Sequence, residues 1–405
     1  MTWRMAFLPL PDLQDDPLRA TLATMDGRLG EYDVAVIGGG MVGAAIGYGC
    51  AARGARVAVL DEGDVALRAA RGNFGLVWSQ SKGDGVPAYA AWTRRSLELW
   101  PALAERVSAL AGRDVQYRPV GGLTFCLGEA ELEARRGFVQ RMHNQGQAGL
   151  RLLDRKELQA LMPGCPLGPE VLGASYQPAD GHVDPLTTLR GFHAGLRREG
   201  GAQLPGAAVT GVEKRGGLYR IQRADGSEVM AARIVVAAGV GTTRVAAMVG
   251  LDVPVRPVRG QNIVTERLRP ILPLPASAVR QTGDGTVQIG VTSEDDGILE
   301  TPTTTAALAK MAARAVRVLP PLASARMVRG WAALRPMTPD GCPAYAESAT
   351  HPGCFVAVCH SGVTLAAVHA GPLAEAVLTG AMPDFAADLH PSRFAGMKAQ
   401  DVHAH

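Results

Sequence analysis

Two short apolar runs, residues 34–37 and 57–60, stand on either side of a stretch rich in glycine and alanine. Unbroken apolar runs of this length suit strands buried on both faces of a parallel sheet. The segment between them predicts a glycine-rich turn and a helix. Farther on, Leu97, Leu99, Trp100, Leu103, Val107 and Leu110 recur at helical spacing within 92–111, where Pro101 is expected to break or kink the helix. Residues 128–148, 154–162, 186–199 and 304–319 also read as helices, the third entered by a turn over 180–185. Between 201 and 246 the pattern is β-rich, with turns at Gly216-Gly217 and Asp225-Gly226, and its last strand, 234–237, runs into a second glycine-rich turn. Short β-like runs alternate with turns over 254–300. A final strand, 355–359, leads into a helix expected to begin near Ser361 or Gly362.

The first turn holds Gly38, Gly40 and Gly43 as G-x-G-x-x-G, and the second strand ends at Asp61, eighteen residues after Gly43. Gly38 permits the tight turn, Gly40 a close approach of backbone to a pyrophosphate, and Gly43 close packing of helix on strand. The helix start offers N–H groups and partial positive charge to phosphate, and Asp61 stands where a carboxylate meets ribose hydroxyls. This strand–turn–helix–strand–acid order predicts dinucleotide binding, against an ordinary βαβ unit with a glycine turn. By itself it does not separate FAD from NAD.

The 405 residues suffice for two domains, and 47% hydrophobic with 20% charged residues suits a globular protein. A net charge of +3 and 5% aromatics argue against nucleic acid and anionic membranes as partners. The six cysteines form no C-x-x-C, so no metal or iron–sulfur site is expected, and a reducing, cytoplasmic setting is. Residues 1–30 lack the pattern of a signal peptide or a membrane span. They bring Trp3, Phe7, Leu8 and Leu10 together, either as a disordered arm or extra packing on the domain, or as a docking segment for another subunit.

Four blocks carry a resemblance over nearly everything from residue 32 onward: VIGGGMVG with Asp61, RGNFGLVWSQSKG at 71–83, ARIVVAAGVGT at 232–242, and GWAALRPMTPDG followed by CHSGVTLA. Together they resemble the FAD-dependent amine oxidoreductases of the D-amino-acid oxidase and glycine oxidase family. NFGLVWSQSKG, PVRGQNIVTE and WAALRPMTPDG look more narrowly like the flavin subunits of opine dehydrogenases, D-hydroxyproline dehydrogenases and hydrogen cyanide synthase. The resemblance implies a mixed α/β fold: a discontinuous Rossmann-like FAD-binding domain (32–95, 165–248 and 326–405), a β-rich substrate domain (96–164 and 249–325), and an N-terminal extension (1–31).

It also implies roles for residues. Arg335 matches the family arginine that pairs with the substrate carboxylate, the alternative being an arginine bridging loops; Arg329 is a weaker candidate. His360 follows the last strand where glycine oxidase carries an arginine nearby, so it either contacts a carboxylate, tunes proton release from the amine, or is a buried structural histidine. FAD contacts are implied for Gly38, Gly40, Met41, Val42, Gly43, Asp61, Glu62, Arg71, Asn73, Phe74, Gly75, Val212, Ala238, Gly239, Arg335, Ser361, Gly362, Val363 and Thr364. Sarcosine oxidases attach flavin through a cysteine two residues before the Arg335 position; Ala333 stands there and Cys342 is offset, so the FAD is expected to be non-covalent. The implied reaction oxidises the C–N bond of an amino acid or an opine-like secondary amine by hydride transfer to flavin, and the imine hydrolyses to a keto acid and an amine. The rivals are an oxygen-using glycine, sarcosine or D-amino-acid oxidase, a non-catalytic flavin subunit, and an NAD-dependent reductase. The opine-type likeness further implies partner subunits that take electrons onward. For a dicarboxylate opine, Arg256, Arg259 and Arg280 are candidate second cations, exposure at the surface being the alternative for each.

Overall fold

The structure is a computed structural model that describes residues 31–397 except 64–68, 148, 296, 298 and 299. The docking-segment reading of residues 1–30 falls outside the described residues. The chain begins with β1 (Glu31–Ile37), α1 (Met41–Ala51) and β2 (Val57–Leu60). A short β3 (Leu76–Val77) precedes a long helix, α2 (Pro87–Ala111). Then come β4 (Gly122–Leu127), α3 (Glu129–His143), β5 (Arg151–Asp154), α4 (Arg155–Leu161), β6 (Val171–Gln177) and β7 (Gly181–His182). Helix α5 (Pro185–Arg198) and β8 (Ala202–Leu204) lead to a meander of β9 (Val209–Arg215), β10 (Leu218–Arg223) and β11 (Glu228–Val236), and to α6 (Thr242–Ala247). The next strands are β12 (Arg256–Arg267), β13 (Val279–Gln281) and β14 (Thr286–Gly290). After α7 (Thr305–Val318) come β15 (Met327–Met337), β16 (Ala344–Glu347) and β17 (Cys354–Val358). The chain ends in α8 (Ala366–Val368), a π turn (His369–Leu373), α9 (Ala374–Thr379) and α10 (Phe385–Asp388).

The largest sheet has the order β16-β17-β11-β1-β2-β8, and the β9–β10 hairpin extends from the first half of β11. Strands β2, β1, β11 and β17 run parallel. Residues of β1 alternate between two cores: Val34 and Val36 pack with Val57, Val59 and Val235, while Ala35 and Ile37 pack with Ala58, Leu60 and Val236. That is why the run is apolar at every position rather than at every other one. Helix α1 is buried at every residue but Val42, which explains its glycine and alanine content. A four-stranded antiparallel sheet, β13-β14-β12-β15, and a three-stranded sheet, β4-β6-β5, share a third core with α7. The division by sequence at 165 and 326 assigns β6 and β15 to the dinucleotide domain; their hydrogen bonds put them in these smaller sheets.

Two local expectations change. Pro101 lies inside a helix that continues unbroken from Pro87 to Ala111. A proline removes one helical hydrogen bond, and here neighbouring side chains anchor the helix from outside: Ser96 Oγ and Trp100 Nε1 both donate to the Thr364 carbonyl, at 2.7 and 2.9 Å. The last helix begins at Ala366 rather than at Ser361. Ser361 does not cap it, because its hydroxyl is engaged with Tyr89 Oη at 2.7 Å. Asp184, by contrast, caps α5, accepting from the N–H groups of Leu186 and Thr187 with Pro185 in the first turn. Among the described residues no helix is long and apolar enough to cross a membrane.

Candidate active site

The carboxyl ends of β1, β2, β11 and β17 open on a cavity of about 520 Å³. Open α/β sheets place ligand crevices outside the carboxyl ends of parallel strands. The turn after β1 supplies Gly38, Gly40, Met41 and Val42; the segment after β2 supplies Asp61 and Glu62; the segment after β11 supplies Ala238 and Gly239; and the segment after β17 supplies His360, Gly362 and Val363. Gly38 has φ +115°, and a Cβ there would lie 2.3 Å from the Ala237 carbonyl oxygen. Gly43 does not line the cavity; a Cβ on it would lie 1.9 Å from the Gly38 carbonyl oxygen, so the helix sits against the turn only because both positions lack a side chain. Asp61 fixes the same turn from the other strand, its Oδ2 accepting the Gly39 N–H at 2.7 Å and its Oδ1 the Gly63 N–H at 2.8 Å.

Beside this cavity lies a chamber of about 230 Å³, and Asn73, His360 and Val363 line both. Arg335 projects into it because residues alternate along β15: Leu334 and Pro336 face the large cavity, and Ala333 and Arg335 the chamber. The guanidinium lies over Gly260 of β12, where a Cβ would stand 2.3 Å from Nη2, and Nη2 donates to the Thr292 carbonyl at 2.8 Å. Burial lowers the pKa of Arg335 somewhat, which leaves an arginine charged.

His360 stands across the chamber with Nε2 2.9 Å from Lys82 Nζ. Burial, then the charges of Lys82 and Arg335, hold its pKa well below the usual histidine value, although a hydrogen bond with the Gly341 backbone opposes them. The ring is therefore neutral, and its Nε2 accepts from the lysine. A neutral acceptor carries no charge of its own, and the positive charge at this contact is that of Lys82. Burial also lowers the pKa of Lys82, to about 8, with Arg335 adding to the effect and Cys359, Cys342 and Asp180 opposing it. Lys82 lies inside the 71–83 block, whose other charge is Arg71, and no periodic pattern marks it in the sequence.

Other expected residues fall in varied places. Phe74, Ser361 and Thr364 line the chamber, and Asn73 Oδ1 accepts the Gly75 N–H at 2.6 Å, which tightens the loop at their junction. Arg71 lines a separate depression of about 200 Å³ beside Gly39, Gly40 and His193, not the main cavity. Val212 sits half-buried on β9 against the core, whereas Val209, three residues earlier, lines a shallow depression with Asp61 and Ala238. Arg329 is exposed and does not line the chamber; six residues of strand, roughly 20 Å, separate it from Arg335. Arg256 pairs with Asp295, Arg259 with Glu294 at 2.7 Å, and Arg280 contacts His182 and Gln288, each at 2.9 Å, so all three candidate second cations are buried rather than exposed and are engaged elsewhere. Cys342 lies in the core, where burial pushes its thiol up to about 12.

The residues fit a dinucleotide: a turn stripped of side chains, an acid at the end of β2, and apolar walls from Met41, Val42 and Val363. The pattern of the DAO family, FAD dependent oxidoreductases, matches residues 33–376. The chain belongs to this family. An opine oxidase subunit from Agrobacterium tumefaciens (strain Ach5) is 38% identical to this DAO-family chain, over 91% of the chain and 99% of that protein. Glycine oxidase of Pseudomonas putida is 31% identical, over 81% and 88%. The crystal structure of glycine oxidase from Geobacillus kaustophilus matches with a TM-score of 0.80 at 25% identity, covering 88% of this chain and 97% of that one. The DAO-family chain is thus an FAD-dependent oxidoreductase acting on an amine or amino acid, and the expected family, fold class and cofactor hold.

Proposed function

We propose that the chain oxidises the C–N bond of an N-substituted amino acid, an opine-like secondary amine, to an imine that water converts to a keto acid and an amine. The observation that carries this reading is Arg335. Its guanidinium lines a chamber that shares Asn73, His360 and Val363 with the large cavity, and among the described residues its one hydrogen bond to protein goes to the Thr292 carbonyl. The remaining N–H groups suit a substrate carboxylate gripped through two parallel bonds. The similarity to a protein named as an opine oxidase subunit, over 99% of its length, supports the substrate class.

FAD, when bound, supplies the two-electron acceptor. Gly38, Gly40, Met41, Val42, Asp61, Ala238 and Gly239 would hold it, with Gly362 and Val363 closing the far wall. Arg335 would fix the substrate by its carboxylate and so orient the Cα–H bond. The charges of Arg335 and Lys82 disfavour an ammonium ion in the chamber and so favour the unprotonated amine that oxidation needs. On this reading the large sheet is the FAD-binding domain, and the smaller sheets form the substrate domain. Arg335 stands on the substrate side, reaching toward the shared wall.

We further propose that a partner subunit takes the electrons onward, as the name of the similar opine oxidase protein suggests. Anaerobic addition of candidate opines, D-amino acids, glycine and sarcosine to the purified flavoprotein tests both points. Bleaching of the flavin by an opine, with slow recovery in air, is the expected result. Bleaching by glycine alone, with fast recovery and peroxide, overturns the reading in favour of an oxygen-using oxidase such as the Pseudomonas putida relative.

A further inference from the structure

The residues that line the chamber include two cationic side chains, Lys82 and Arg335, and no carboxylate among the described residues. Besides neutral His360, its other polar lining, Asn73, Ser81, Asn262, Ser277, Ser361 and Thr364, is uncharged. Lys82 is half-buried, and its hydrogen bond among the described residues is the 2.9 Å contact with neutral His360. An ammonium group has three donors, so two remain for a ligand. The buried carboxylate that acts on Lys82 from outside the chamber, Asp180, is occupied: Oδ1 accepts from Ser79 N–H and Oγ at 2.6 and 2.7 Å, and Oδ2 from Gln80 Nε2 at 3.0 Å. Two charges drawn together in one desolvated space repel and are costly unless a counter-charge enters. A monocarboxylate answers one of them.

We propose that Lys82 is the second carboxylate anchor of the chamber, which takes a secondary amine bearing a carboxylate on each N-substituent, one held by Arg335 and the other by Lys82. The proposal rests on the reading of the chamber as the substrate site, and it names the class of substrate. His360 acts as a positioning residue: its neutral Nε2 holds the lysine head without competing for the anion.

The test uses the FAD-loaded protein and two unreactive probes, diglycolate, which is a diacid with an ether oxygen in place of the amine, and methoxyacetate, its monoacid counterpart. Perturbation of the flavin absorbance gives each Kd. Wild type should prefer diglycolate by at least about tenfold. Lys82→Met should weaken diglycolate about 10–100-fold, leave methoxyacetate within about threefold, and so collapse the preference. A preference unchanged in Lys82→Met, or absent in wild type while methoxyacetate still binds, overturns the role of Lys82 and leaves the carboxylate site of Arg335 standing. Failure of both probes to bind overturns both readings. Should Lys82→Met not take up FAD, wild type still decides. The groups acting on Lys82 are His360, Arg335, Cys359, Cys342 and Asp180, so the diacid preference should fall as pH rises past about 8, and a preference flat through that range refutes the anchor.

Discussion

The large cavity and the chamber beside it share a wall at Asn73, His360 and Val363, yet the first is shaped by missing side chains and the second by present ones. At the carboxyl ends of β1 and β11, Gly38 and Gly43 let backbone meet backbone, and Asp61 binds the turn through N–H groups. In the chamber, Lys82, Arg335 and His360 come from three segments and line one space, with Lys82 and His360 in direct contact. A cavity of the first kind tolerates changes of side-chain chemistry but no added bulk in its turn. The second kind tolerates little change of charge and depends on every strand that aims a side chain into it.

The largest expected effect breaks the first region outright. Gly43→Ala places a methyl group 1.9 Å from the Gly38 carbonyl oxygen, and the variant should lose about 3 kcal/mol or more of stability. Flavin absorbance of the purified variant checks it, and full FAD content would mean that the turn is not held by close packing. Next, Arg335→Met should keep its FAD while kcat/KM for amine substrates drops about 1,000-fold. Loss of the flavin instead would erase the distinction between the two regions.

Asp180 supports the chamber from behind. Asp180→Asn turns an amide toward the Gln80 donor, and melting should show a loss of about 1–3 kcal/mol. Burial raises the folded pKa of Asp180 to about 6, above the unfolded value of about 3.9. The folded chain therefore binds more protons in that window, and this group makes stability fall as pH climbs from about 4 to about 6 and then level off. The variant should lack that slope. The smallest effect is at Arg329→Ala, on an exposed strand end: stability within about 0.5 kcal/mol and kinetics within about twofold. A larger kinetic change would extend the chamber beyond its described lining.

How legible each region is in the sequence follows from the same contrast. The glycine turn, the acid after β2 and the two apolar strands are local, so spacing alone marks them. The face on which Val212 lies depends on a register that only pairing with β10 sets. Pro101 fails to end its helix because Thr364, more than 260 residues later, anchors the flanking side chains. Lys82 and His360 lie 278 positions apart, and no periodicity connects them. Arg335 is visible through the family block around it, but its bare seat on Gly260 is not, since that depends on the pairing of β12 with β15.

The order of strands in the large sheet sets a timetable for synthesis. β1 and β2 can pair early, but β1 waits for β11 on its other edge, and β11 in turn waits for β17 at 354–358. Until then a growing chain presents open, apolar strand edges, the kind that recruit other chains. The wall at 359–363 directly follows β17 in the chain, so the large cavity lacks that wall until β17 has taken its place beside β11. A chain stopped before residue 354 would be left with an uncovered edge and only part of a cradle.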